Sequence, residues 1–199
     1  MSEEIEKEFK NLVTKEEFNL LLHTFHISNR DFFTQKNHYF DTYSFLLKEK
    51  AAALRIRELP NFYELTLKRK TIEGVIETNQ IINQKEADLL FHDAILPAGE
   101  IKEALIKLGI PVQNLTYFGS LTTHRAEHEY KGGLLVFDHS HYLDKEDYEL
   151  EYEVKDWELG KTIFTNLLTR LNIKPQSTDT KVGRLYRAKL EIMKQSDKE

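Results

Sequence analysis

The 199-residue sequence contains no cysteine. Disulfides and thiolate metal sites are therefore excluded, and the composition fits a reducing cytoplasm. No run approaches the roughly 18 apolar residues of a membrane-spanning helix. The N-terminus is acidic from Glu3 onward and lacks the apolar stretch of a signal peptide. Proline and glycine are sparse, at 4 and 8 residues. No Pro-, Gly- or Ser-rich linker, low-complexity tract or solenoid-type repeat interrupts the chain, so residues 1–199 read as a single domain. An excess of positive charge is also lacking. The net charge of −5 disfavours an extended nucleic-acid surface but allows a local basic pocket. No Ser-His-Asp or Cys-His arrangement for nucleophilic catalysis is apparent.

What is present is a core. Hydrophobic residues make up 40% of the chain and aromatics 11%, which argues against disorder. Thr14 and Glu17 form a capping box ahead of Phe18, Leu21, Leu22 and Phe25 at helical spacing. A helix that begins there leaves the opening EIEKEFK, residues 4–10, as a separate element, and it reads as a strand. Further strands are expected over 31–42, 53–59, 62–71, VIETNQII, LTYFGSLTTHRAEHEY, LLVFDHSHYL and 147–154, with turns at Pro60-Asn61, Glu73-Gly74 and Lys131-Gly132-Gly133. A short helical turn is expected in TYSFLLKEKA. Helical patterning marks KEADLLFHDAI, GEIKEALIKLG, WELGKTIFTNLLTRL and a final segment from about Thr180, capped by Ser177, Thr178 or Asp179. The closing QSDKE is expected to fray. About eight strands in hairpin order can close into an antiparallel barrel. The predicted class is α+β, with helices packed outside the barrel and a C-terminal helix.

Alternate residues of a strand share a face, and each strand here has one charged face. The charged positions are Arg55 and Arg57, then Glu64, Lys68 and Lys70, then Arg125, Glu127 and Glu129, then Asp138, and last Asp147, Glu149, Glu151 and Glu153. Opposite them stand Leu54, Ile56, Leu65, Leu67, Leu135, Phe137, Leu150 and Tyr152. A solvated outer face accounts for any one strand, but such faces mix signs and avoid like charges in a row. Here acids gather in EIEKEFK and ELEYE and bases in the middle strands. A barrel brings its first and last strands side by side, so two acidic strands would face several bases. Clustered carboxylates suit Mg²⁺ or Mn²⁺, and Arg and Lys suit a polyphosphate.

The ordered set EIEKEFK, YFDT, LRIR, LTLK, THR, Asp138, ELEYE and Lys174-Pro175…Ser177…Lys181 resembles the CYTH superfamily, the triphosphate tunnel metalloenzymes. The resemblance is to the short stand-alone members of Bacillus-like bacteria and spans nearly the whole chain. It implies a closed eight-stranded tunnel and metal-dependent hydrolysis of a triphosphate, either inorganic tripolyphosphate or an organic one such as thiamine triphosphate. It implies Glu6, Glu8, Asp138, Glu149 and Glu151 as metal ligands. Lys10, Arg55, Arg57, Lys68, Arg125 and Lys181 are implied as phosphate-binding groups. Glu6, Glu8, Lys10 and Glu151 are the expected catalytic set, with in-line attack of a metal-activated water on a terminal phosphorus. The expected partner is a small triphosphate, not a membrane. Two other readings share the basic residues. One is a non-catalytic polyphosphate or nucleotide sensor; the other is a CYTH-type adenylate cyclase, for which no adenine-specific feature stands out. The eight histidines, HSH at 139–141 among them, offer no complete ligand set at zinc spacing, and His124 and His128 lie opposite in phase to Arg125. Tyr39 and Asp41 either point into the tunnel or pin a strand end. Trp157 and the helix after it are read as barrel covering.

Overall fold

A computed structural model describes residues 3–72 and 74–196, and for residues 3–6 and 196 it describes the backbone alone. The Glu73 part of the expected Glu73-Gly74 turn and the end of QSDKE lie outside the described residues. The chain divides into two compact units, Met1–Glu6 with Gln35–Ser120, and Lys7–Thr34 with Leu121–Glu199.

In the first unit, β1 (Glu3–Glu6) pairs with β6 (Gly74–Ile82), β6 with β5 (Tyr63–Thr71), β5 with β4 (Ala52–Glu58) and β4 with β3 (Phe33–Thr42), all antiparallel. Leu54 and Ile56 of β4, and Leu65 and Leu67 of β5, are fully buried. They meet α3 (Gln84–Asp93) and α4 (Glu100–Lys107) through Ala87, Leu90, Ile101 and Leu105. This is the expected apolar face, and its burial leaves the charged face of the same strands free for other work. A helical turn, α2 (Leu46–Glu49), follows β3. The buried Asp41 fixes it by accepting from the backbone N–H groups of Thr42 at 2.7 Å, Leu47 at 2.9 Å and Lys48 at 3.2 Å. Of its two expected roles, Asp41 therefore takes the structural one.

In the second unit, β7 (Leu115–Tyr130, entering from the first unit) pairs with β8 (Gly133–Tyr142), β8 with β9 (Lys145–Glu153) and β9 with β2 (Glu8–Val13). Lys131 and Gly132 both have positive φ, 47° and 82°, which gives a two-residue turn between Tyr130 and Gly133. The apolar faces, with Ala126, Leu135, Phe137, Leu150 and Tyr152, pack on α1 (Lys15–Thr24) through Phe18 and Leu21. On the same core lies α5 (Trp157–Arg170), through Phe164, Leu167 and Leu168. Thr14 and Glu17 complete the expected capping box. Trp157 packs against Phe9 with ring centroids 4.1 Å apart and planes tilted by 34°, so it covers the sheet as expected.

Two expectations need correction. The opening run is not one strand. It divides at Lys7 into β1 and β2, which pair with β6 and β9 respectively, so the expected eight-stranded arrangement is built from nine strand segments among the described residues. The final helix, α6 (Lys181–Ser196), is capped by none of the three residues expected. Thr180 caps it, its hydroxyl accepting from Gly183 N–H at 3.2 Å and its carbonyl from Arg184 N–H at 3.0 Å. A cap at Thr180 sets Lys181 and Arg184 three residues apart, on one side of the helix.

Candidate functional site

Both units carry their charge on the face opposite the core. In the first unit Arg55 donates to Glu77 at 3.1 Å, and Lys68, which lies directly opposite Glu77 in the β5–β6 register, pairs with it at 3.0 Å. Arg57 donates to Asn37 at 3.1 Å and approaches Glu64 at 3.8 Å. Tyr39 stands opposite Arg55 across β3–β4 and is buried. Arg55 Nε is a buried donor with no acceptor among the described residues. Such a donor costs free energy unless something accepts from it, and an anionic oxygen is the strongest acceptor available.

The second unit concentrates acid. The strand registers put Arg125 opposite Asp138, Asp138 opposite Glu149, and Glu151 opposite Lys10. Asp138, Glu149 and Glu151 are all buried, and they offer oxygens within 4.8 Å of one another. A second triplet, Glu8, Glu151 and Glu153, meets the same distance, with Glu8 opposite Glu153 across β2–β9. Glu151 belongs to both. Arg125 forks onto Asp138 at 2.8 and 2.6 Å and reaches Glu151 at 3.1 Å. Lys181 Nζ lies 2.8 Å from Asp138, 2.5 Å from Glu149 and 2.7 Å from Glu151. Lys10 donates to Glu8 at 2.5 Å and lies 3.8 Å from Glu151.

The segment before α6 is tied to β2, which places these cations. The buried Asn11 donates to Lys174 O at 3.1 Å and accepts from Gln176 N–H at 2.5 Å. Arg184 then reaches Glu149 at 2.6 Å, Asp147 at 2.7 Å and Thr178 at 2.7 Å.

Packing several carboxylates this tightly splits their proton affinities. Burial pushes the Glu149 carboxyl up to about 7; Lys181 pulls against this, and the neighbouring Glu151 adds to it. Burial acts on Glu151 in the same direction, but Lys181, the hydrogen bond with Glu149, Arg125 and Lys10 together hold it well below the usual range. Of the pair, Glu151 is thus held toward its charged form and Glu149 toward its protonated form. Lys181 is raised well above an ordinary lysine, since the pull of Glu151, Asp138 and Glu149 overcomes its burial. Lys10 and Arg125 are raised in the same way, by Glu151 and Glu8 for the lysine and by Asp138 for the arginine.

The metal fit can be judged from these groups. The donors are carboxylate oxygens, which hard divalent cations prefer. The named carboxylates, Glu8, Asp138, Asp147, Glu149, Glu151 and Glu153, outnumber the cations Lys10, Arg125, Lys181 and Arg184 that meet them. A single ammonium within 2.8 Å of three carboxylates marks a point where positive charge is demanded. The residues fit a hard divalent cation.

The profile of the CYTH domain family matches residues 4–186. The chain belongs to the CYTH family. It is 47% identical, over 95% of its length and 98% of the relative's, to a Bacillus subtilis (strain 168) protein named "Putative triphosphatase YjbK". A crystal structure from Bacillus halodurans, described as a putative adenylate cyclase, is 42% identical; it covers 94% of this chain and 100% of that one, with a TM-score of 0.89. The Hippeastrum protein HpAC1, described as a putative adenylyl cyclase that reveals a dominant triphosphatase activity, is 22% identical over 92% of this chain and 96% of its own, with a TM-score of 0.77. That last likeness is one of fold. Together these matches extend the family's antiparallel α+β architecture over nearly the whole chain.

Of the residues expected from sequence, the CYTH chain brings Glu8, Lys10, Arg125, Asp138, Glu149, Glu151 and Lys181 together in the second unit. It gathers Arg55, Arg57 and Lys68 in the first. The side chain of Glu6, on β1, lies outside the described residues. Sequence reasoning missed three site residues. Glu77 was legible as the partner of Lys68 once the β5–β6 hairpin was registered. Arg184 was legible as the residue one helical turn beyond Lys181. Asn11 had no signal, because its work is to bind backbone far along the chain.

Proposed function

We propose that this CYTH protein is a divalent-metal-dependent triphosphatase acting on inorganic tripolyphosphate or a small organic triphosphate such as thiamine triphosphate. The observation that carries the reading is the buried triplet Asp138, Glu149 and Glu151, ringed by Lys10, Arg125 and Lys181. The family membership and the name of the 47% identical relative agree with it.

Asp138, Glu149 and Glu151 would hold Mg²⁺ or Mn²⁺, with Glu8 joining through its shared neighbour Glu151; we assign Glu6 the same role. When bound, a divalent cation neutralises phosphate charge and lowers the pKa of water bound to it. Arg125 positions Asp138 and Glu151 by its fork. Glu149, with its carboxyl raised to about 7, can hold or release a proton beside Glu151, which is held toward its charged form. Lys181 and Lys10 balance the carboxylates and offer charge to phosphate oxygens, which is worth most in a site shielded from water. Arg55, Arg57 and Lys68 supply further phosphate-binding cations, and the Nε of Arg55, which has no acceptor among the described residues, favours an anionic ligand. The cysteine-free composition suits a cytoplasmic setting.

The test is phosphate release from tripolyphosphate, thiamine triphosphate and ATP, each with Mg²⁺ and with Mn²⁺. Release from at least one, cut about 10²- to 10³-fold by Glu151→Gln, is expected. Tight tripolyphosphate binding with no release from any substrate would replace the hydrolase with a sensor. Cyclic AMP as the main product from ATP would replace it with a cyclase.

A further inference from the structure

The second unit has another cluster of metal-ligating side chains, on the outer face of the sheet away from Asp138. His139 and His141 sit two apart on β8 and so share a face, and Asp138 points the other way. The registers bring His124 of β7 directly opposite His139, and Glu146 of β9 directly opposite His141. Three strands therefore deliver three imidazoles and a carboxylate to one patch, a meeting that spacing along the chain could not show.

The geometry is close. His139, His141 and Glu146 each offer a ligand atom within 4.8 Å of the others. His139 Nε2 and Glu146 Oε2 are 2.8 Å apart. The rings of His139 and His141 have centroids 4.1 Å apart, and His124 lies 5.6 Å from His141. The patch is also oriented from behind, as metal-ligating histidines and carboxylates usually are. Tyr148 stacks on His139 at 4.2 Å with a 14° tilt and donates its hydroxyl to Glu146 at 3.3 Å. Thr34 Oγ1 lies 2.9 Å from His124 Nδ1, which leaves Nε2 of that ring for another partner.

The alternative is a solvated face that happens to be rich in histidine. Convergence from three strands, and side chains held by Tyr148 and Thr34, are not needed for solvation. We infer that His139, His141 and Glu146, with His124 as a fourth donor, form a binding site for a borderline transition-metal cation such as Zn²⁺. The ligand types decide the metal: imidazole suits Zn²⁺, Ni²⁺ and Cu²⁺, whereas the all-oxygen cluster on the other face suits Mg²⁺ and Mn²⁺. The two sites would bind different ions at once, and this inference does not rest on the triphosphatase reading.

The experiment is a calorimetric titration of the full chain with Zn²⁺ in excess Mg²⁺, which occupies the carboxylate cluster. One Zn²⁺ per chain is expected. His139→Asn with His141→Asn should weaken it at least about tenfold, and Glu146→Gln by a smaller factor. Glu149→Gln should leave it unchanged. The wild type titrated with Co²⁺ under the same conditions should show the visible bands of a four-coordinate ion with imidazole ligands, a readout that needs no variant. Zn²⁺ binding that survives the histidine substitutions, or no Zn²⁺ bound in excess Mg²⁺, would overturn the assignment.

Discussion

In the first unit Glu77 serves two cations, Arg55 and Lys68; in the second Lys181 serves three carboxylates. The inversion has physical consequences. The cations are similarly shielded in the two units, with 12% of the Arg55 side chain and 14% of the Lys181 side chain exposed, so the contrast lies in their partners. Asp138 is fully buried. Arg55 keeps a buried donor with no acceptor among the described residues, whereas buried carboxylates that share one ammonium are stable only while it stays in place. The first unit is therefore suited to grip an anion. The second is a compensated network in which the loss of one member strands the rest.

The comparison can be broken most severely at Lys181. Lys181→Ala leaves Asp138, Glu149 and Glu151 without their shared cation, and a loss of about 3–5 kcal/mol of stability is expected in the metal-free protein, as for other broken buried ion pairs. Denaturant melts should show that loss partly recovered by Mg²⁺. A loss of stability no larger than that of Lys68→Ala would mean the two units do not differ in this respect. Next is Glu151→Gln, which removes the ionised member of both carboxylate triplets. Phosphate release should fall about 10²- to 10³-fold, the range for losing one group that stabilises transition-state charge.

A third test uses pH. Glu149 has a folded-state pKa raised to about 7, so between its ordinary value and 7 the folded protein binds a proton that the unfolded chain does not. Its contribution is fully present at low pH and is lost as pH rises through 7. Glu151 acts oppositely, stabilising at neutral pH and losing that contribution in acid. Metal-free wild type should lose roughly 1–3 kcal/mol between pH 5 and 8 on account of Glu149. Glu149→Gln should flatten that slope; an unchanged slope would assign the proton elsewhere. Smaller again is Arg55→Ala, expected to raise the KM for tripolyphosphate about tenfold with little change in melting temperature. The smallest effect is at the helix cap, where Thr180→Ala should cost about 1 kcal/mol and loosen Lys181 and Arg184 together.

Much of this was legible along the chain. Strand alternation placed Arg55, Arg57, Lys68, Arg125, Asp138, Glu149 and Glu151 opposite the core residues Leu54, Ile56, Leu65, Leu67, Phe137 and Leu150, because a period of two needs no tertiary information. The capping box at Thr14 was legible for the same reason: its hydrogen bonds span three residues. The cap of α6 was misread by one residue at its nearest candidate, since Ser177, Thr178, Asp179 and Thr180 are all competent caps and the choice depends on what the helix docks against. Thr178 is instead occupied by Arg184. The break at Lys7 was hidden because EIEKEFK alternates without interruption; only its two different partners divide it.

Sequence alone determined the class, the buried face of each strand and the chemical type of each charged face, all of which follow from local periodicity and side-chain chemistry. Tertiary structure decided which charges meet. Register across β7, β8, β9 and β2 gathered the carboxylates and brought three histidines to one patch, and the docking of α6 through Asn11 made Lys181 the hub of three of those carboxylates. Those outcomes depend on distances between residues far apart in the chain, and Coulomb interaction and metal coordination both depend steeply on such distances.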